Sequence, residues 1–222
     1  MQELEMNYSE ALSFTFRDQN WLKKMLIGGA VAFASFYVGI IFIFGFFVIG
    51  YYIGVLRNVS RDVEPALPEW KDLSKIFVDG LLGGIISLFY FLIIGGLCAL
   101  AIVSVVNDYM PEFEKVTLIV LISIFTALAL GIFISYGLLQ FAITENFSAA
   151  FSVSAMFDII RSDLGNFMAI IIFSMILNCI LFMAGLGFFS AFTNFWGMVV
   201  QAHLFGQYAR KLQPATTAVQ TA

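Results

Sequence analysis

An all-α, polytopic bundle of about six transmembrane helices is what this sequence predicts. Hydrophobic residues fill 61% of the 222 positions and charged residues only 12%, against about 45–50% and 25% in soluble domains. With 26 Phe and a mean hydropathy of +0.94, no single soluble core would hide this surface. The apolar residues also fall in runs of 20 or more, the length a helix needs to cross about 30 Å of hydrocarbon.

Residues 1–24 are expected to form a cytoplasmic amphipathic segment. Its first ten positions hold three acids, no base and no small-residue cleavage site, so it does not read as a signal peptide. Residues 25–56 then run 32 positions without a charge. As one straight helix they would measure about 48 Å, too long for an upright span. Basic residues flank both ends, Arg17, Lys23 and Lys24 before and Arg57 and Arg61 after. Because Lys and Arg favour the cytoplasmic side, the run is read as a first transmembrane hairpin turning between Ser35 and Gly45.

Residues 57–75 make a polar cytoplasmic connector with Pro65, Pro68 and Trp70. A residue before proline avoids the helical region, so Glu64 to Leu67 should be extended. The second hairpin occupies residues 76–143. Its first arm is interrupted only by Asp79, and its turn is a short acidic loop with Asp108, Glu112 and Glu114. Residues 144–166 are predicted as an amphipathic cytoplasmic helix, since Ala150, Val153, Phe157, Ile160 and Leu164 recur at helical spacing.

Residues 167–211 supply the third hairpin, expected to turn between Gly185 and Asn194 before Arg210 and Lys211 stop it. Residues 212–222 lack periodicity and are read as a disordered tail. Six crossings put both termini in the cytoplasm of a cell-membrane protein, with Lys115 the one basic residue outside.

Function is less legible. A net charge of −4 and the lack of a basic stripe give no footprint for nucleic acid. No HExxH, Walker loop or Gly-x-Ser-x-Gly occurs. The acids Glu64, Glu69, Asp72, Asp158 and Asp163 are read as solvated or helix-capping rather than catalytic. No enzyme activity and no cofactor is expected. Cys98 and Cys179 fall in apolar runs and read as small packing residues.

Polar side chains inside the spans are the functional candidates. His203 is the only histidine and lacks the neighbours to complete a metal site. It is expected to pair with Asn178 or Gln201, the three forming an intramembrane polar cluster. Axial ligation of a haem-type ring is the one cofactor role left open to it. Gly50 with Gly54 and Gly80 with Gly84 form two GxxxG motifs, which serve close helix packing within the chain or a homo-oligomer. Trp21, Pro68 and Trp70 are candidates for interfacial anchoring or partner docking.

Three segments carry a resemblance. The opening reads Phe16-Arg17-Asp18-Gln19-Asn20-Trp21-Leu22-Lys23-Lys24, then Ile27-Gly28-Gly29. The connector reads Gly54-Val55-Leu56-Arg57-Asn58-Val59, Glu64-Pro65-Ala66-Leu67-Pro68-Glu69-Trp70 and Phe77-Val78-Asp79-Gly80-Leu81. The close reads Ala202-His203-Leu204-Phe205-Gly206-Gln207-Tyr208. Together they resemble an uncharacterised family of prokaryotic multi-span membrane proteins, a domain of unknown function. The first apolar run departs from that family in being longer and free of proline. The resemblance implies a helical membrane protein of bacteria or archaea with no assigned activity.

The expectation is a non-enzymatic scaffold, assembly or envelope factor packing with membrane lipids, a partner membrane protein or further copies of itself. The alternative is a small transporter or channel for a neutral or lipidic molecule.

Overall fold

The computed structural model describes residues 6–37, 41–105, 109–187 and 189–212. Among these the regular structure is entirely helical. A short α1 (Tyr8–Ser13) runs into a 3-10 turn (Phe14–Arg17), followed by α2 (Trp21–Tyr37) and α3 (Ile41–Ser60). Next come α4 (Leu73–Val105) and α5 (Glu112–Thr144), then a second 3-10 turn (Phe147–Phe151). The chain closes with α6 (Val153–Ala184) and α7 (Ser190–Leu212).

Local chemistry sets these boundaries. Asn7 caps α1 by accepting from the Glu10 amide at 2.9 Å. At α5, Glu112 and Glu114 sit in the first turn, where the helix dipole favours negative charge. Glu145, with φ of 54°, ends that helix in the left-handed region and donates its N–H to the Phe141 carbonyl.

Four segments are long and apolar enough to cross a membrane: Ile43–Ser60, Leu73–Val105, Glu112–Thr144 and Arg161–Ala184. At 17 residues, α2 reaches about 25 Å. The 23-residue α7 is long enough but carries Asn194, Gln201, His203 and Gln207. Burial explains that polarity. Val199, Ala202, Leu204, Phe205 and Tyr208 of α7 are wholly buried, and the helix packs on α2, α3 and α6.

The opposite holds for α4 and α5. They are among the most apolar helices, yet only 11% and 0% of their most hydropathic windows is buried. Leu92, Leu100, Val103, Phe113 and Phe125 stand fully outward. Water would not tolerate so large an apolar face. This ordering, with polar helices inside and apolar ones outside, marks a multi-pass membrane protein.

α4 runs antiparallel to α3 and α5, whereas α7 runs parallel to α3, with Tyr51 against Phe195 and Val59 against Gly206. Gly50 and Gly80 bring α3 and α4 into backbone contact, and Gly137 of α5 sits under Ile86 and Tyr90 of α4. Gly28 and Gly29 of α2 receive the rings of Phe195 and Phe192 from α7. Both arms of the first hairpin are helical, and its connection at 38–40 falls outside the described residues, as does Asp108.

Three expectations are corrected. The helix predicted over 144–166 is broken. Thr144 still belongs to α5, and α6 starts at Val153 and kinks at Asp163, with φ −157° and ψ 57°. Its apolar spacing was also misread. Ala150 is buried in the 3-10 turn, while Phe157 and Leu164 are half exposed and Met156 is the buried residue. The side chains of Val153 and Ile160 lie outside the described set.

The third turn is shorter than Gly185–Asn194, because Thr193 and Asn194 lie inside α7 and bond the carbonyls of Leu181 and Ser190 at 2.8 Å each. Such polar side chains, satisfied by nearby backbone oxygens, do not mark a loop. Finally, Cys98 is half-buried and Cys179 is exposed, so Cys179 is not a packing residue.

Candidate functional site

One end of the bundle is tied by ion pairs. Arg57 sits at the last turns of α3 with its side chain 6% exposed and meets Asp79 of α4 at 2.6 Å. Its Nε donates to the Ala142 carbonyl of α5 at 3.3 Å and lies 3.6 Å from Glu145. Arg61 reaches the same Glu145 at 2.5 Å. Lys24 of α2 holds Asp18 and Glu69 at 2.7 Å each and donates to the Leu67 carbonyl at 2.9 Å. Lys211 pairs with Asp163 at the α6 kink at 2.8 Å, and Arg210 pairs with Asp62.

These contacts join every long helix at this end. The hydrogen bond from Lys24 holds the Glu69 carboxyl below the usual range. The bond from Arg61, followed by the Arg57 charge, does the same for Glu145. Both carboxylates stay charged, as pairing with a cation requires.

Away from this floor the helices separate. Among the described residues α4 makes no extended contact with α6 or α7. Between them opens a cavity of about 920 Å³, at the upper end of the range for small-molecule sites. Apolar walls come from Phe46 and Ile49 of α3, Leu88 and Phe91 of α4, and Phe195 and Met198 of α7.

No charged side chain lines it among the described residues, and each of its polar members donates a bond to backbone. Ser35 donates to the Ala32 carbonyl at 2.8 Å, Ser87 to Gly83 at 2.8 Å, and Asn194 to Ser190 at 2.8 Å. Ser190 donates to the Gly187 carbonyl. Hydroxyls and amides spent on their own backbone leave an essentially apolar chamber.

The predicted polar cluster is not assembled. Asn178 donates to the Ser174 carbonyl at 2.8 Å and packs against Gly197. His203 lies six residues further along α7, near the ion-paired end. Its Nδ1 is 3.2 Å from Gln207 Nε2, and its ring stacks on Phe14 with centroids 4.0 Å apart. Gln201 bonds neither of them among the described residues.

The histidine's partner is therefore Gln207 rather than Asn178 or Gln201. Gln207 also accepts from the Asn7 amide at 2.9 Å and donates to the Asn7 carbonyl at 3.2 Å. The His203–Gln207 pair thus fastens the N-terminal segment onto α7. Within the described residues no three His, Cys, Asp or Glu side chains are disposed to hold a metal ion.

Three of the four motif glycines lie on the α3–α4 interface, and Gly54 lies against the connector. Gly54 faces the Pro68 ring and Gly84 the Phe46 ring, while Gly50 and Gly80 meet backbone. Trp70 stacks on Tyr51 at 4.6 Å and 15°, and its indole N–H donates to the Lys24 carbonyl at 3.1 Å. Trp21 meets Phe16 edge-on at 4.9 Å. The cavity residues escaped sequence reasoning because serines in apolar spans give no sign of which way they turn.

A family model described as "Protein of unknown function (DUF4013)" matches residues 33–190, more than half of the chain. The chain belongs to this family. The match takes in the proline-bearing connector and most of the cavity wall, but not the opening at 16–29 or the close at 202–208. No curated protein and no solved structure matches the chain.

Proposed function

We propose that this family member is a non-enzymatic protein of a prokaryotic cell membrane that shelters a lipidic molecule in the lateral cavity. The observation that carries this reading is the chamber's lining, whose few polar groups are already bonded to their own helices. Such a surface offers a guest apolar contact and no polar recognition, which suits an acyl or isoprenoid chain. A hydrophilic solute would lose its hydration there without compensation.

The dispersal of Asn178, Gln201 and His203 argues in the same direction, against a continuous wet path. Ten of the eleven Lys and Arg residues lie at the ion-paired end or in the sequence beside it, so that end faces the cytoplasm in this reading.

Native mass spectrometry of protein extracted gently from its own membrane tests the proposal. Wild-type chain is expected to carry lipid, and Ser87→Phe, which fills the cavity, to lose it while keeping its fold. Lipid-free wild type, or unchanged retention by S87F, overturns the reading.

The second reading is a scaffold or assembly factor. It is favoured by the outer halves of α4 and α5, which no other described element covers. A stoichiometric foreign subunit in the same spectrum would place that reading first.

A further inference from the structure

A smaller, polar pocket of about 340 Å³ lies at the ion-paired end, remote in character from the apolar chamber. One wall is the opening of α2, where Asn20, Lys23 and Ile27 recur on one helix face. The other wall is the connector, through Glu69, Trp70 and Lys71. Lys24 forms the floor.

The donors divide into used and unused. The Lys24 ammonium has its three protons taken by Asp18, Glu69 and the Leu67 carbonyl. Lys23 has no carboxylate within ion-pair distance among the described residues. The Asn20 side-chain amide likewise has no hydrogen-bond partner there. Lys71 stands 86% exposed, at the 4.0 Å limit from Glu69.

Three lysines against two carboxylates leave one positive charge, which a phosphodiester's single negative charge would balance. The pocket also lies at the right depth. Leu22 and Leu26, beside Lys23 on α2, are 54% and 52% exposed, so lipid-facing apolar surface begins at the pocket's edge. Ile27 continues that surface inward, and Trp70 is held rigid by its stack on Tyr51 and its bond to Lys24. A Trp side chain at this level is characteristic of the headgroup region.

We infer that this pocket binds the phosphate of an anionic phospholipid headgroup, with Lys23, Lys71 and Asn20 as donors. Basic pockets at the cytoplasmic ends of spans are suited to this chemistry. The inference uses none of the cavity residues.

The test is native mass spectrometry of the full chain released from nanodiscs holding equal phosphatidylglycerol and phosphatidylcholine. Wild type is expected to retain one phosphatidylglycerol selectively. Lys23→Gln/Lys71→Gln should bind it about 30-fold more weakly, with an unchanged melting temperature since both side chains are exposed. Lys75→Gln, outside the pocket, should behave as wild type.

Equal retention of the two lipids, or undiminished selectivity in the double variant, overturns the inference. Displacement of the lipid by millimolar inorganic phosphate would assign the site to the free anion and overturn the lipid assignment. Lipid held by the apolar chamber has no headgroup preference and survives K23Q/K71Q, so the two readings fail separately.

Discussion

Gly50 and Gly80 lie against one another where α3 crosses α4, each occupying the space a side chain of the other helix would need. A Cβ on Gly50 would sit 1.8 Å from the Ile76 carbonyl oxygen, and one on Gly80 1.6 Å from that of Phe46. Backbone cannot rotate aside as a side chain can, so the helices themselves would have to part. Gly50→Ala and Gly80→Ala are each expected to cost about 3 kcal/mol or more, the upper range for overpacking. Gly95→Ala and Gly96→Ala are the controls, having nothing within 4 Å, and should be neutral or stabilising by about 0.5–1 kcal/mol. Denaturation in detergent checks the contrast; equal behaviour of the two pairs would refute the close crossing.

Arg57 and Asp79 form the most enclosed ion pair between α3 and α4, with side chains 6% and 15% exposed. Arg57→Met strands the aspartate and should destabilise by about 3–5 kcal/mol. Arg57→Met with Asp79→Asn removes the stranded charge and should recover a large part of that loss. A double variant no more stable than R57M would show that the pair is not the source of the effect.

Acid should weaken the ion-paired end. Glu145 has its folded carboxyl lowered from 4.5 by Arg61 and then Arg57. A depressed folded value means the contribution is complete above the unfolded value and is lost as pH falls through the folded one. Melting temperature should therefore hold from pH 7 to about 5 and drop below 4.5. Glu145→Gln should flatten part of that drop, and an unchanged profile would count against the pairing.

The His203 contacts make a prediction about the N-terminal segment. His203→Ala removes the ring that Phe14 stacks on and the neighbour of Gln207. Trypsin should then cut after Arg17 faster than in wild type, while the bundle loses no more than about 1–2 kcal/mol of stability. Equal cleavage rates would show that the segment is held by other contacts.

The orientation is testable by labelling. In a background lacking Cys98 and Cys179, a cysteine at Asp62 should react only with membrane-permeant reagent and one at Glu114 with impermeant reagent from outside. Both positions are exposed. The reverse pattern would invert the proposed sidedness.

Helical class and membrane character were legible because hydropathy and run length report them directly. The Arg57–Asp79 bond also had a readable signal. An acid one residue-turn inside an apolar run demands a counter-charge, and Arg57 ends the preceding run. Other features were hidden for physical reasons. The break of the 144–166 helix comes from local caps, Glu145 in the left-handed region and the Asn146 and Ser152 side chains, whereas the kink at Asp163 falls where Lys211 and Asn166 bond its carboxylate, and periodicity carries no trace of a partner 48 residues away. The His203–Gln207 pair had a local signal, since residues four apart share one face of α7, and only the docking of Asn7 on Gln207 was hidden. The cavity follows from how helices diverge, which composition does not encode.

That divergence has a consequence for the membrane itself. As 33-residue helices, α4 and α5 each extend about 50 Å, whereas the apolar Arg161–Ala184 stretch of α6 spans about 36 Å. Each of these exceeds a hydrocarbon slab of about 30 Å, so each must tilt or carry its ends into the headgroup layer, the 33-residue pair the most. The chamber is thus walled on one side by a helix much longer than the bilayer core and on the other by an apolar stretch closer to its thickness.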